Sequence, residues 1–207
     1  MTVHALEAPR GCFPGHLAEE TEIEERMADD EDTACMRRLA AGDDSALAEI
    51  VKRWHTPLLN FFYRSTGSRE DAEDLMQSVM IKLYRAAPRY RVEARFSTYL
   101  FVIARRVLQN HRRFFRRKMF GLVDNGSVSE TFLADSDDGK VREIEEFFQT
   151  ALKSLPESQR TAILLLKQQG MSYREIADAM RTNESSVKTW IFRARQKLKE
   201  AYDETNR

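Results

Sequence analysis

Apolar residues in this chain recur at helical spacing and nowhere at strand spacing, and that pattern constrains the fold most. Ala72, Leu75, Met76, Val79 and Leu83 follow i, i+3, i+4, i+7 and i+11, which is one buried stripe on a helix. Alternating apolar runs are absent, so strands are not expected. Punctuation agrees. Thr33 is expected to cap a short helix that Gly42 ends, and Ser45 or Asp44 to open a longer one that Pro57 kinks and Gly67 closes. Ser68 opens a third helix, with Asp71 as its capping partner, and Pro88 stops it. Ser97 begins a fourth, with Leu100, Ile103, Val107 and Phe114 toward the core. Residues 119–142 are rich in Gly, Asp, Ser and Asn, a linker composition. A second helical block follows. Ile144, Phe147, Phe148, Ala151, Leu152 and Leu155 form one stripe, and Pro156 suits the first turn of the next helix. Ser172 and Glu175 make a capping box, and Asn183 caps the last helix. The expected fold is all-α: an acidic tail without fixed structure over 1–33, a helical domain over 34–118, the flexible linker, and a second small helical domain over 143–207.

The 207 residues hold 33 basic and 33 acidic side chains, a net charge of zero that argues at first against a polyanion partner. The distribution reverses that inference. Residues 1–33 carry −8, 34–118 carry +10, 119–154 carry −5 and 155–207 carry +3. Two basic blocks, each preceded by an acidic one, are the electrostatic footprint of a nucleic-acid binder with acidic spacers. No apolar run approaches the ~18–20 residues that cross a bilayer, so no membrane insertion is expected. The first residues lack a basic flank and apolar core, so no secretory signal is expected either. Two cysteines, Cys12 and Cys35, cannot build a disulfide scaffold, which favours a reducing cytoplasmic setting.

In the second block, a short helix from Tyr173, a tight turn over 180–183 and a longer basic helix form a helix-turn-helix pattern. The second helix of such a unit fits the major groove, its first turn facing base edges while its flank meets phosphates. That turn holds Glu184, Ser185, Ser186, Lys188 and Thr189, with Arg193 following, and Ser172, Tyr173 and Arg174 open the preceding helix. Leu155-Pro156-Glu157, Gln159-Arg160, Ser172-Tyr173, Glu175-Ile176-Ala177, Val187-Lys188 and Arg193-Ala194-Arg195 resemble the promoter-recognition domain of bacterial sigma factors. A similar domain occurs in response regulators, so the N-terminal half must arbitrate.

That half carries Ala72-Glu73-Asp74-Leu75-x-Gln77, then Phe96-Ser97-Thr98-Tyr99-Leu100-x-x-Ile103-Ala104-Arg105 and Arg112-Arg113. With both halves in order, the chain resembles the extracytoplasmic-function sigma factors, over roughly residues 34–118 and 147–202. The residues point the same way, because arginines neutralise phosphates and aromatic faces stack on unpaired bases. The resemblance implies that Ser172, Tyr173, Arg174, Glu184, Ser185, Ser186, Lys188, Thr189 and Arg193 read a promoter −35 element. It implies a −10 surface of Tyr90, Arg91, Arg95, Tyr99, Arg105, Arg106, Asn110, Arg112 and Arg113, with Tyr99 where the family usually has Trp. It implies that Glu73, Asp74 and Gln77, joined by an exposed Met80 and Ile81, dock on core RNA polymerase, and that an anti-sigma factor is a further partner. Four positions depart from the family: Arg106 replaces a common Asn, Val92 and Arg181 replace usual glycines, and Trp190 takes a usually basic place.

Catalytic chemistry is not expected. The four histidines are scattered, and no Gly-rich phosphate loop is present. Asp71, Glu73 and Asp74 read as a capped helix face rather than an acid–base site. His4, Cys12, His16 and Cys35 match no zinc spacing, so neither metal nor cofactor is expected. The sequence thus predicts a non-enzymatic, dissociable polymerase subunit, with a polymerase-independent DNA-binding regulator and a sigma-like decoy for an anti-sigma factor as the alternatives.

Overall fold

The computed structural model describes residues 31–121 and 139–205, with side chains over 31–115 and 145–204. Most of the tail and of the linker, with His4, Cys12 and His16, therefore lies outside the described residues. Among those described, all regular structure is helical. In order these are α1 (31–40), α2 (Ser45–Thr66), α3 (Arg69–Ala86), a 3₁₀ turn (Ala87–Arg89), α4 (Phe96–Gly121), α5 (Gly139–Ser154), α6 (Glu157–Gln169), α7 (Tyr173–Met180) and α8 (Glu184–Thr205).

The boundaries follow local chemistry. Gly67 and Gly170 end α2 and α6 with φ of 77° and 62°, the left-handed geometry that glycine adopts without a Cβ clash. Ser68 Oγ accepts the Asp71 amide at 3.2 Å to start α3. Both arms of the Ser172–Glu175 capping box are formed, and Asn183 Oδ1 accepts the Ser186 amide at 2.8 Å. Pro57 lies inside α2, which runs on past it; Pro156 stands at the N-cap of α6, one place ahead of the first turn.

The helix expected to start at Thr33 starts earlier. Thr33 lies within α1, and the tail boundary drawn at 33 falls inside a helix. Asp32, one of the acidic run, is 1% exposed. Its carboxylate accepts Arg53 Nε and Trp54 Nε1, each at 2.8 Å. A buried carboxylate is tolerated when donors of this quality satisfy it, and these two fasten α1 across α2. At the α1–α2 corner, Arg38 bridges Asp43 at 2.7 Å and Glu49 at 2.8 Å.

In the first half, α2, α3 and α4 pack around Ile50, Leu58, Phe61, Phe62, Leu83, Phe96, Leu100 and Phe101, all fully buried. Phe101 meets Phe61 edge-on at 5.3 Å and Trp54 at 6.2 Å, the preferred aromatic geometry. In the second half, α6, α7 and α8 close on Leu165, Ile176, Val187, Ile191 and Ala194. The halves are packed together, α4 on α7 and α2 on α5 and α6, and their buried apolar residues form one continuous cluster.

Two exposures differ from expectation. Met80 is 7% exposed, because the buried face of α3 takes 72, 75, 76, 79, 80 and 83; it is one residue wider than the stripe read from the sequence. Phe114, expected in the core, is 65% exposed. It lies about two turns beyond Leu108, the last buried residue of α4 among the described side chains.

Candidate nucleic-acid interface

The end of α3, the loop after it and one face of α4 enclose an open cleft of about 600 Å³. The loop turns away from α3 because Pro88 stops the helix, and Phe96, fully buried, returns the chain into α4. Tyr90, Arg91, Tyr99, Arg106 and Asn110 of the sequence-derived set line this cleft together. Lys82 and Arg89 line it too, and sequence reading passed over both. Lys82 sits four residues before Ala86, where α3 ends, and Arg89 opens the basic run through Arg91 and Arg95, which were the available signals. Glu93 and Asp178 bring carboxylates to the lining.

The cleft offers stacking faces and charge in one place. The rings of Tyr90 and Tyr99 meet edge-on at 5.0 Å. Tyr90 Oη is buried beneath the cleft surface without a hydrogen-bond partner. Burial, and then the neighbouring Tyr90, push the Tyr99 phenol above its usual pKa, partly offset by the Arg106 guanidinium; Tyr99 is therefore a neutral donor at any physiological pH.

The remaining arginines of that set stand elsewhere. Arg105 Nη1 donates to the Ala179 carbonyl of α7 at 3.4 Å. Arg112 donates to the Ser65 carbonyl at 2.9 Å and pairs with Glu157 at 3.1 Å. Arg95 faces Glu175 at 3.6 Å. All three contact the other half of the molecule or its carboxylates, while Arg113 is exposed. Burial lowers the Arg105 guanidinium below its usual pKa, with Arg181 and Arg106 acting the same way and Glu157 opposing.

On the second half, Ser172, Arg174, Glu184, Ser185, Lys188, Thr189 and Arg193 are exposed, and Tyr173 and Ser186 half-buried. Exposure of the first turn of α8 follows from Val187, Ile191 and Ala194 turning its opposite face inward. Some hydroxyls are already used: Ser172 Oγ donates to Glu175 Oε2 at 2.8 Å, and Thr189 Oγ1 to the Ser185 carbonyl at 2.9 Å. Arg181 closes the turn in the left-handed region, φ 51°.

On α3, Asp74 and Gln77 are exposed and Glu73 half-buried, with Arg69 Nε on Glu73 at 2.7 Å. Ile81, 52% exposed, and Tyr84 extend that surface as apolar groups. Met80 does not join them. Among the described residues no cluster of His, Cys, Asp and Glu has a metal-holding arrangement, and no helix is long and apolar enough to cross a membrane.

Comparison with known proteins identifies both halves. The family model "Sigma-70 region 2" matches residues 50–118, and "Sigma-70, region 4" matches 148–198. The chain is 29% identical to the RNA polymerase sigma-H factor of Pseudomonas aeruginosa, over 84% of this chain and 95% of the relative. It is 30% identical to the ECF RNA polymerase sigma-E factor of Haemophilus influenzae, over 81% and 93%, and 30% identical to that of Escherichia coli K12, over 81% and 92%. In fold it is similar to CnrH, solved in complex with the cytosolic domain of CnrY, with a TM-score of 0.65 at 22% identity over 84% of this chain and 98% of that one. It is also similar to the sigma factor RpoE of Bartonella quintana, solved with the anti-sigma factor NepR, with a TM-score of 0.60 at 21% identity over 75% and 97%. With both sigma-70 regions in order and relatives matched almost end to end, the chain belongs to the extracytoplasmic-function sigma factors of the sigma-70 family, non-enzymatic subunits that bind core RNA polymerase and direct it to promoters.

Proposed function

We propose that the cleft between α3 and α4 captures an unpaired base of the promoter −10 element, and that the first turn of α8 reads the −35 element in duplex form. The gathering of the Tyr90 and Tyr99 rings with basic and amide side chains in one open cleft is the observation that carries the first assignment. A base plane would lie against an aromatic face while its edge meets the polar side chains of the lining. Arg91, Arg106 and Asn110 line the same space and supply phosphate and base-edge donors; Arg95, Arg105, Arg112 and Arg113 extend the basic surface toward the flanking strand. Melting then needs no catalysis, because each captured base pulls the duplex-to-open equilibrium toward the open form.

In the −35 reading, Ser185, Ser186, Lys188 and Thr189 meet base edges, Glu184 accepts from a cytosine amine, and Ser172, Tyr173, Arg174 and Arg193 meet phosphates. Glu73, Asp74 and Gln77 dock on the polymerase clamp helices, with Ile81 and Tyr84 beside them as the apolar part of the contact. An anti-sigma polypeptide is a further partner, as the relatives solved with CnrY and NepR suggest by analogy. The setting is the cytoplasm.

Permanganate footprinting of a promoter bound by the reconstituted holoenzyme separates the two DNA roles. Stacking on an aromatic contributes about 1–3 kcal/mol per base, so Tyr99→Ala is expected to cut permanganate-reactive open complexes about tenfold or more while polymerase remains bound to duplex. Reactivity equal to wild type contradicts the cleft assignment.

A further inference from the structure

The cleft-facing side chains of α4 form one stripe that runs on past the cleft. Tyr99, Arg106 and Asn110 line the cleft at positions i, i+7 and i+11 of the helix. The next position of that series, i+15, is Phe114. Arg113 beside it is exposed, as are Arg106 and Asn110. Phe114 is 65% exposed, so a large apolar ring stands on a basic face where a solvated helix carries polar groups. The adjacent aromatic is committed elsewhere. Phe115 packs on His111 at 4.6 Å, and His111 Nε2 lies 3.3 Å from Asp71 of α3. Phe114 meets Phe115 edge-on at 6.4 Å and stays open to solvent.

Along the helix axis, Phe114 stands about 22 Å beyond Tyr99, roughly six base steps of a duplex. Asn110 is the last α4 residue of the cleft lining, so Phe114 lies outside the walls that would hold an unstacked base. An exposed ring on a convex helix surface fits the major groove instead, where the thymine C5-methyl is the apolar group that a base edge presents. We propose that Phe114 is a specificity-determining residue that packs on a thymine methyl in duplex DNA, about six base pairs from the captured −10 base. Arg113 meets the phosphate beside that contact. The contact falls on the side of the −35 element, because that end of α4 is the one from which the chain continues to the −35-reading half.

This inference rests on the −10 reading of the cleft, and the test keeps the two apart. Replacing thymine by deoxyuridine removes the methyl group and leaves every hydrogen-bonding group of the base pair in place. Promoter fragments keep the −10 and −35 elements that the reconstituted holoenzyme selects. They carry thymine at each position roughly four to eight base pairs from the captured base, toward −35. Each thymine is replaced in turn, and binding is measured in closed complexes at low temperature, before any base is captured. Wild-type holoenzyme is expected to bind one substituted fragment about three- to fourfold more weakly, the effect of one buried methyl group. This comparison needs no change in the protein. Phe114→Ala is expected to bind the thymine fragment more weakly by a similar factor and to lose the discrimination, while Phe114→Leu retains part of it. Both variants are expected to match the wild type in thermal denaturation, because the side chain is exposed. Wild-type indifference to every substitution overturns the proposal, and so does discrimination that survives in Phe114→Ala. If Phe114→Ala lowers permanganate reactivity while the wild type ignores the methyl, the ring acts on the melted strand and the duplex contact is wrong. Tyr99→Ala is expected to keep the methyl discrimination and lose open complexes. Retention of both overturns the −10 reading of the cleft and not the methyl contact.

Discussion

Arg181 holds a left-handed backbone conformation, φ 51°, where an L side chain crowds its own carbonyl. Arg181→Gly is therefore expected to stabilise the fold by about 1 kcal/mol, read as a higher midpoint in urea denaturation; a lower midpoint would mean that the side chain contributes more than the backbone strain costs. Asp32 makes the opposite case. Its carboxylate takes Arg53 and Trp54 at 2.8 Å in a fully buried position, so Asp32→Ala leaves the indole N–H without its acceptor and Arg53 with Glu31 as its remaining carboxylate. The expected loss is about 2 kcal/mol in the same measurement, and a loss below half that would place the anchoring of α1 elsewhere. Arg181 was legible as a departure because its turn has a local signature. Asp32 was not, since its burial depends on a side chain twenty-two residues away and the surrounding acidic run reads as solvent-facing. Met80 and Phe114 failed for a related reason: periodicity locates the centre of a buried stripe, whereas its width and length are set by the neighbouring helices.

Helix ends were read more successfully than helix faces, because caps are satisfied within a few residues of chain. Ser68, Gly67, Asn183 and the Ser172–Glu175 box all sit where their chemistry predicted. Ser172→Ala removes the acceptor for the Glu175 amide at 3.2 Å and is expected to cost about 1 kcal/mol by thermal denaturation, with no loss marking the box as dispensable. The α1–α2 corner makes a pH prediction. The Asp43 carboxyl is held below its usual pKa by Ser45 and then Arg38, and that of Glu49 by Arg38 and then Cys35. A depressed folded pKa contributes stability above the unfolded value that is lost as pH falls through the folded one. Amide exchange over 31–49 is thus expected to quicken relative to the α3 core below about pH 4, and a parallel response in both regions contradicts that local origin. The helix-turn-helix and the loop between α3 and α4 were recoverable as segments because their motifs are contiguous. The polar contacts joining the halves were not, because Glu175 reads from the sequence as a cap and Arg112 as a DNA contact.

At the level of the complete chain, neutrality conceals charge blocks of −8, +10, −5 and +3. The positive blocks coincide with the two DNA-reading halves, and the negative groups of α5 and α7 lie against them through Arg64–Glu145 and Arg95–Glu175. Such a charge distribution is expected to disfavour DNA binding by the free chain, which acts as a subunit of the holoenzyme. Holoenzyme binding to promoter fragments is expected to weaken steeply with salt as phosphate contacts are released, and a flat response in a filter-binding titration contradicts the phosphate roles given to the arginines. The division of labour between the halves has a sharper test. Run-off transcription with core polymerase on templates randomised across both promoter elements yields the sequences each variant selects. Ser185→Ala with Lys188→Ala is predicted to change the preferred −35 sequence alone, and Arg106→Asn to change the −10 sequence alone. Either change altering both elements, or neither, would contradict the account.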